Sequence, residues 1–238
     1  MQMIAPDRHL EIGSLLFDQL DQIDLTGPFE VLSRLPNSTC RIYAKTGAPV
    51  RDMGGLVLTP DATLLQAPKL DVLHVPGGFG QEALMDDEEV LSWLRQQAAG
   101  ALCVLSVCTG ALLCGAAGLL KGRRATTHWS SHHLLPYFGA VPVNKRVVID
   151  GNMVLAAGVT AGIDAALHVA AMLRGTEAAE AIQLSMQYAP EPPFNSGSLE
   201  TASAAITTMA RRVVEAVTAQ REETAKRIAK RLGFGSST

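Results

Sequence analysis

Two kinds of apolar pattern alternate along most of the chain. Short runs rich in Val, Leu and Ile are typical of strands buried on both faces of a parallel sheet, and longer stretches with apolar residues at helical spacing are typical of amphipathic helices. The patterns predict strands over residues 9–17, 39–45, 56–58, 70–75, the first half of 101–119, a short piece of 124–129, and a hairpin of 146–149 with 153–157. They predict helices over 25–32, 86–99, the second half of 101–119, 160–174, 176 to near 188, and 199 to about 232.

This alternation predicts an α/β fold. We expect a doubly wound, mostly parallel, flavodoxin-like sheet flanked by helices, because strands that alternate with helices build such sheets. No linker divides the chain, so we expect one α/β domain over residues 1–198 and a C-terminal helical extension of the same domain over 199–238. The basic residues of that last helix are expected to form a solvated face. They are Arg221, Lys226, Arg227, Lys230 and Arg231.

The candidate chemistry lies where the strand-like half of 101–119 changes into the helix-like half. Cys108, Thr109 and Gly110 stand at this change of period. A strand that turns sharply into a helix presents its corner residue above the sheet edge, with the N–H groups of the helix start close by. Cys108 is therefore a candidate nucleophile, whereas Cys40, Cys103 and Cys114 are expected to be inert core residues.

Two further stretches hold candidate residues. Asp24 lies just before the first helix, where it is either functional or only a helix N-cap. Gly77 and Gly78 follow the strand at 70–75, so their bare backbone N–H groups are expected at the carboxyl edge of the sheet, where ligands bind in open α/β folds. His128 is either a partner for Cys108 or a structural histidine.

Composition limits the classes of partner. The chain has 238 residues, 47% of them hydrophobic, and a formal net charge of −3, so nothing favours binding to nucleic acid or to an anionic membrane. Residues 96–120 carry no charge, but Ser, Thr and four Gly interrupt them, which argues against a transmembrane helix. The four Cys residues lack the spacing of a disulfide framework or a zinc site, and the first residues lack the apolar stretch of a signal peptide, so we expect a cytoplasmic protein.

Several of these motifs together resemble the ThiJ/PfpI superfamily, which has the class I glutamine amidotransferase-like fold. Within it the chain is similar to the enzymes that hydrate isonitriles, and the resemblance covers nearly the whole length. It rests on Asp24 with residues 25–28, on 76–78, 106–111, 125–129 and 158–164, and most specifically on 188–195.

The resemblance implies hydration of an isonitrile to an N-substituted formamide without a cofactor or metal. Asp24 would protonate the isonitrile carbon, Cys108 would attack it to form a thioimidate, and Thr109 would hydrogen-bond the reacting group. Superfamily relatives usually pair, so a homodimer is expected, supported by the apolar stripe on the last helix. The residues expected to bind substrate or developing negative charge are Gly77, Gly78, His128, Phe79, Trp129 and Phe194.

Three other functions remain open from the sequence. The superfamily includes hydrolases and glyoxalases built on the same cysteine corner, and oxidation sensors in which the cysteine is the signal. It also includes transcriptional regulators in which the domain precedes paired helix-turn-helix units. Only about forty residues follow Asn195, which is too short for two such units.

Overall fold

The strands form one large sheet and two small pairs. The computed structural model describes residues 4–234. The strands are β1 (Leu10–Leu15), β2 (Ser38–Ala44), β3 (Val50–Arg51), β4 (Val57–Leu58), β5 (Ala62–Thr63), β6 (Val72–Val75), β7 (Cys103–Val107), β8 (Arg124–Ala125), β9 (Val141–Pro142), β10 (Val147–Asp150) and β11 (Met153–Ala156).

The large sheet has seven strands in the order β10-β11-β7-β6-β1-β2-β5. All neighbours in it are parallel except the edge hairpin of β10 with β11, which confirms the mostly parallel sheet predicted from the sequence. Strand order reverses between β1 and β6, because β2 lies on the other side of β1. In doubly wound sheets such a reversal opens a crevice at the carboxyl ends of the strands, where ligands bind.

Helices cover both faces of this sheet. The α-helices are α1 (Gln22–Leu32), α2 (Gln81–Leu84), α3 (Glu88–Gly100), α4 (Gly110–Ala116), α5 (Ala161–Arg174), α6 (Thr176–Ser185) and α7 (Ala204–Leu232), with short 3-10 segments at Leu64–Gln66 and Trp129–Phe138. One core cluster joins the sheet to α3, α4 and the second 3-10 segment, and another joins it to α1, α5 and α6. The doubly wound arrangement is therefore confirmed.

The first helix begins earlier than the apolar spacing suggested. Asp21 is its N-cap and accepts a hydrogen bond from the Ile23 backbone N–H at 3.0 Å, so Asp24 lies inside the first turn. The alternative that Asp24 serves only as the helix cap is wrong. Pro28 lies in the helix interior, where it offers no N–H to the carbonyl of Asp24.

The last helix begins later than expected and differs in its two halves. It is capped by Ser203, and in its first half Ile206, Met209 and Val213 are exposed. Its second half packs on the protein through Ala225 and Ile228 among others. Among the described residues, no helix is both long enough and apolar enough to span a membrane.

Candidate active site

Cys108 stands at a sharp corner between β7 and α4. Its φ of +55° lies in the left-handed region, which is uncommon for a residue with a side chain and is typical of a nucleophile corner. The flanking backbone holds this conformation, since the Cys108 N–H donates to the Ala156 carbonyl at 3.0 Å and the Thr127 hydroxyl donates to the Cys108 carbonyl at 2.7 Å. The corner predicted from the change of period is confirmed.

Two glycines allow the backbone to close around this corner. A Cβ on Gly110 would lie 2.1 Å from the carbonyl oxygen of Val75, so only glycine lets α4 start this close to β6. A Cβ on Gly77 would lie 2.6 Å from the Thr109 backbone nitrogen and 2.9 Å from Asp24 Oδ2. The loop after β6, the start of α4 and the first turn of α1 therefore meet at one point.

Asp24 is fully buried at this meeting point. Its Oδ2 accepts a hydrogen bond from the Gly77 N–H at 2.9 Å, while Oδ1 has no hydrogen-bond partner among the described residues. The nearby Cys108 side chain slightly favours the ionised form of Asp24 and so has a small lowering effect on its pKa. One carboxyl oxygen is thus fixed by the backbone, and the other is left for a proton or a ligand.

Burial dominates the acid–base properties of both side chains. Together with the negative charge of Asp21, burial raises the pKa of Asp24 to about 8, against the lowering effects of the Gly77 N–H and the Cys108 side chain. Burial also raises the pKa of the Cys108 thiol well above its usual value, with Asp24 adding to the rise and the Thr109 N–H opposing it. Because the two groups interact, they titrate as a pair, and Asp24 retains its proton near neutral pH.

Thr109 and Gly78 are joined by two hydrogen bonds. The Gly78 N–H donates to Thr109 Oγ1 at 3.1 Å, and the same hydroxyl lies 3.3 Å from the Gly78 carbonyl oxygen that it donates to. The Thr109 hydroxyl therefore holds the loop after β6. Its backbone N–H faces Cys108.

His128 caps the second 3-10 segment. Its Nδ1 lies 2.8 Å from Ser130 Oγ and accepts from the Ser130 N–H at 3.4 Å. Burial, followed by the nearby charge of Arg221, lowers the pKa of His128 to about 4, so the ring is neutral at physiological pH. These contacts fix the start of the segment that begins at Trp129.

The three aromatic residues expected to line a pocket lie in different surroundings. Trp129 is half-buried, lies 5.1 Å from the His128 ring, and lines a groove of about 560 Å³ between the second 3-10 segment and α7. Phe79 is 42% exposed beside the glycines, and Phe194 is 80% exposed in the extended segment after α6. Phe79 and Phe194 do not line that groove.

Two buried groups near the site had no assigned role in the sequence interpretation. Arg221, expected on a solvated face, is 2% exposed and donates to the Gly78 carbonyl at 2.6 Å, so that expectation is wrong. His74, on β6, is fully buried, and its Nδ1 lies 2.9 Å from Ser14 Oγ. Burial lowers the pKa of His74 to about 3, while the Asp24 backbone carbonyl, without a helical partner because of Pro28, partly opposes this.

The other cysteines are unsuited to nucleophilic chemistry. Burial raises the pKa of Cys40, Cys103 and Cys114 to about 12 in each case. Within residues 4–234, no group of three or more His, Cys, Asp or Glu side chains is arranged to hold a metal ion.

Comparison with known proteins shows which proteins this chain is similar to. A family model described as the DJ-1/PfpI family matches residues 12–172. The isonitrile hydratase of Pseudomonas putida is 50% identical over 225 residues, covering 94% of this chain and 99% of that protein. A crystal structure of a ThiJ/PfpI family protein from Pseudomonas syringae aligns with a TM-score of 0.89 and 39% identity, covering 94% of this chain and 97% of that one.

A regulator is also similar over part of its length. The HTH-type transcriptional regulator GbdR of Pseudomonas aeruginosa is 33% identical over 180 residues, which is 72% of this chain and 48% of the regulator. In the described residues after Asn195 the present chain has a single helix, α7.

Proposed function

We propose that this chain, which belongs to the DJ-1/PfpI family, hydrates isonitriles to N-substituted formamides. The observation that carries the proposal is a buried carboxyl group, protonated near neutral pH, directly beside a cysteine at a nucleophile corner. The isonitrile hydratase of Pseudomonas putida, similar over nearly the whole length of both chains, supports the choice of substrate class.

The first step joins the substrate to sulfur. The terminal carbon of R–N≡C carries a lone pair and becomes electrophilic once it is protonated. Asp24 gives its proton to this carbon, the Cys108 sulfur bonds to it, and the thiol proton passes to the Asp24 carboxylate. The product, R–N=CH–S–Cys108, is a thioimidate, and Asp24 ends the step protonated again.

The second step releases the formamide. Water adds its oxygen to the thioimidate carbon and a proton goes to nitrogen, giving R–NH–CH(OH)–S–Cys108. Collapse of this adduct breaks the C–S bond, expels the thiolate, and forms R–NH–CHO, and the hydroxyl proton returns to the Asp24–Cys108 pair. No oxidant or reductant is consumed.

The neighbouring residues support this chemistry in different ways. The Gly77 N–H orients Asp24, and the Thr109 N–H is the donor that faces sulfur. We assign the Thr109 hydroxyl and Gly78 to holding the loop after β6, because they are bonded to each other. Phe79, Trp129 and Phe194 remain our proposal for apolar contacts with the R group.

A cysteine oxidation sensor is the competing function. A sensor cysteine is exposed and has a low pKa, whereas Cys108 is 6% exposed and its pKa is raised by burial. These properties favour an enzyme in which Asp24 first protonates the substrate carbon. Its carboxylate then takes the thiol proton, and the Cys108 sulfur becomes nucleophilic. We further propose that the enzyme works in the cytoplasm.

We also propose a homodimer. The exposed Ile206, Met209 and Val213 lie on one side of the first half of α7. Apolar side chains grouped in this way are typical of a surface covered by a second subunit.

The function is tested with the purified protein and an alkyl isonitrile. Formamide production is followed by chromatography with mass detection in the wild type, in Cys108→Ala, and in Cys40→Ala as a cysteine control outside the site. We expect turnover by the wild type and Cys40→Ala and none by Cys108→Ala. Absence of formamide from the wild type would refute the proposed substrate class.

A further inference from the structure

The second half of α7 is fastened to α2, which directly follows the glycine loop. Thr224 Oγ1 donates to Glu82 Oε1 at 2.5 Å, and Gln220 Nε2 donates to Glu82 Oε2 at 2.9 Å. Arg227 forms an ion pair with Asp86 one helical turn farther along. These contacts flank Arg221 on both sides and fix the part of the helix from which its side chain projects.

Arg221 is a buried cation with few partners. Its guanidinium donates to the Gly78 carbonyl at 2.6 Å, and its Nε has no hydrogen-bond partner among the described residues. Within that part of the chain, no carboxylate lies at ion-pair distance from it. Burying a charge without a counter-ion is costly, so an arginine in this position calls for a negative charge that the resting hydrogen bonds do not supply.

The Gly78 carbonyl links Arg221 to the cysteine corner. This oxygen accepts from both the Arg221 guanidinium and the Thr109 hydroxyl, and the N–H of the same residue donates back to Thr109. The loop after β6 is therefore held between the last helix and the residue next to Cys108.

The charge of Arg221 also acts on the groups of the site. Burial raises the pKa of Cys108 and the positive charge of Arg221 opposes this rise, whereas burial lowers the pKa of His128 and the same charge adds to the fall. Burial lowers the pKa of Arg221 itself, and the negative charges of ionised Cys108 and Glu82 oppose that fall. Asp24 in the first turn of α1 and Asp21 at its N-cap act on the pKa of Cys108 in the opposite direction to Arg221 when they are ionised. Arg221 is thus a cation that opposes these carboxylates at the sulfur.

We propose that Arg221, supplied by the C-terminal helix, is a positioning residue of the cysteine site: it is the counter-ion that the Cys108 thiolate faces, and it anchors the Gly78 peptide beside Thr109. Its role in turnover rests on the proposed isonitrile hydration, but its effect on the thiolate does not. The helix that carries it lies outside the matched family region, residues 12–172.

In the proposed reaction, Arg221 acts at two points. It stabilises the sulfur anion as the thiol proton leaves, and again when the C–S bond of the adduct breaks and the thiolate is released. In the thioimidate between these points the sulfur is neutral, so Arg221 favours the states before and after the intermediate.

The test measures alkylation of Cys108 by iodoacetamide between pH 6 and 9.5, with the modified peptide identified by mass. The variants are Arg221→Gln, Arg221→Lys and, as a matched control, Arg227→Gln on the same helix. Arg227→Gln removes one positive charge and the ion pair with Asp86 but leaves the cysteine site intact. Circular dichroism and urea midpoints show whether each variant is folded.

We expect Arg221→Gln to move the alkylation profile to higher pH, with a rate at pH 7 about tenfold lower than wild type, because one pKa unit changes the thiolate fraction about tenfold. Arg221→Lys restores the charge and should recover the rate to within about threefold. Arg227→Gln should follow the wild-type profile.

Two results would overturn the inference. One is an unshifted profile in folded Arg221→Gln. The other is a loss of rate in folded Arg221→Lys as large as that in Arg221→Gln, which would indicate that the positive charge is not required and that the role of Arg221 is purely structural. Formamide production is assayed separately, so that failure of this inference can be told apart from failure of the proposed function. A shifted alkylation profile in a protein inactive on isonitriles would uphold the role of Arg221 and reject the substrate.

Discussion

Replacing Asp24 with Asn should remove most of the activity and remove the pH dependence of stability that arises at this position. Asn keeps the shape of the side chain, and its carbonyl oxygen can still accept the Gly77 N–H that now bonds Oδ2. It cannot deliver an acidic proton to the isonitrile carbon, so we expect turnover to fall by about 10²- to 10⁴-fold, the usual worth of a general acid.

The change in pH dependence follows from the raised pKa. The pKa of Asp24 rises from 3.8 to about 8, so the folded state holds this proton more tightly than the unfolded chain does. The benefit of that proton is complete below about pH 4 and is lost as the pH rises toward 8, at about 1.4 kcal/mol per pH unit. Between pH 5 and 7.5 the unfolding free energy of Asp24→Asn should therefore gain about 3 kcal/mol relative to wild type.

Urea unfolding at several pH values, at one fixed protein concentration, measures this difference. Asp21→Asn is the matched control, because Asn remains a good N-cap and the change removes the charge that helps to raise the pKa of Asp24. In Asp21→Asn the pKa of Asp24 should be lower, so stability should stop falling at a lower pH than in wild type. Parallel curves for wild type and Asp24→Asn would refute the inference that Asp24 is buried in its protonated form.

Three further predictions follow from the same structure. Gly77→Ala should cost about 1–3 kcal/mol in urea unfolding and most of the formamide production, because the new methyl group would lie 2.6 Å from the Thr109 nitrogen; wild-type stability and activity would contradict this. Light scattering at micromolar concentration should give about twice the chain mass of 25.2 kDa, and a monomer would contradict the proposed homodimer. In gel-shift assays we expect no sequence-selective, salt-resistant binding to duplex DNA, and such binding would favour a regulator.

The sheet and the cysteine corner could be predicted because both leave local signals. Buried parallel strands are continuous apolar runs, and the change from strand-like to helix-like composition at Cys108 marks the corner directly. The edge hairpin of β10 and β11 was similarly indicated by Asp150 and Gly151 between two apolar segments.

The exact start of α1 could not be predicted in the same way. Asp18, Asp21 and Asp24 recur at helical spacing, and an Asp at any of these three positions can cap a helix. Only the three-dimensional structure shows that Asp21 takes the cap, which leaves Asp24 free in the first turn.

Arg221 is buried against Gly78, which lies 143 positions earlier in the chain. Because this contact leaves no local signal, the positive charge of Arg221 suggested an exposed face. A signal was nevertheless present. Arg221 precedes Ala225 by four residues and Ile228 by seven, which places it on the same helical stripe as the buried positions. A charged residue within an apolar stripe indicates a buried charge with a specific partner.

The most direct test of the proposed chemistry is to observe the thioimidate on Cys108. The wild-type protein is mixed rapidly with an alkyl isonitrile, quenched with acid, and analysed by intact-protein mass spectrometry. We predict an adduct heavier than the free protein by the mass of the whole substrate, located on the peptide containing Cys108 and absent from Cys108→Ala. Full formamide production by Cys108→Ala would contradict the covalent mechanism.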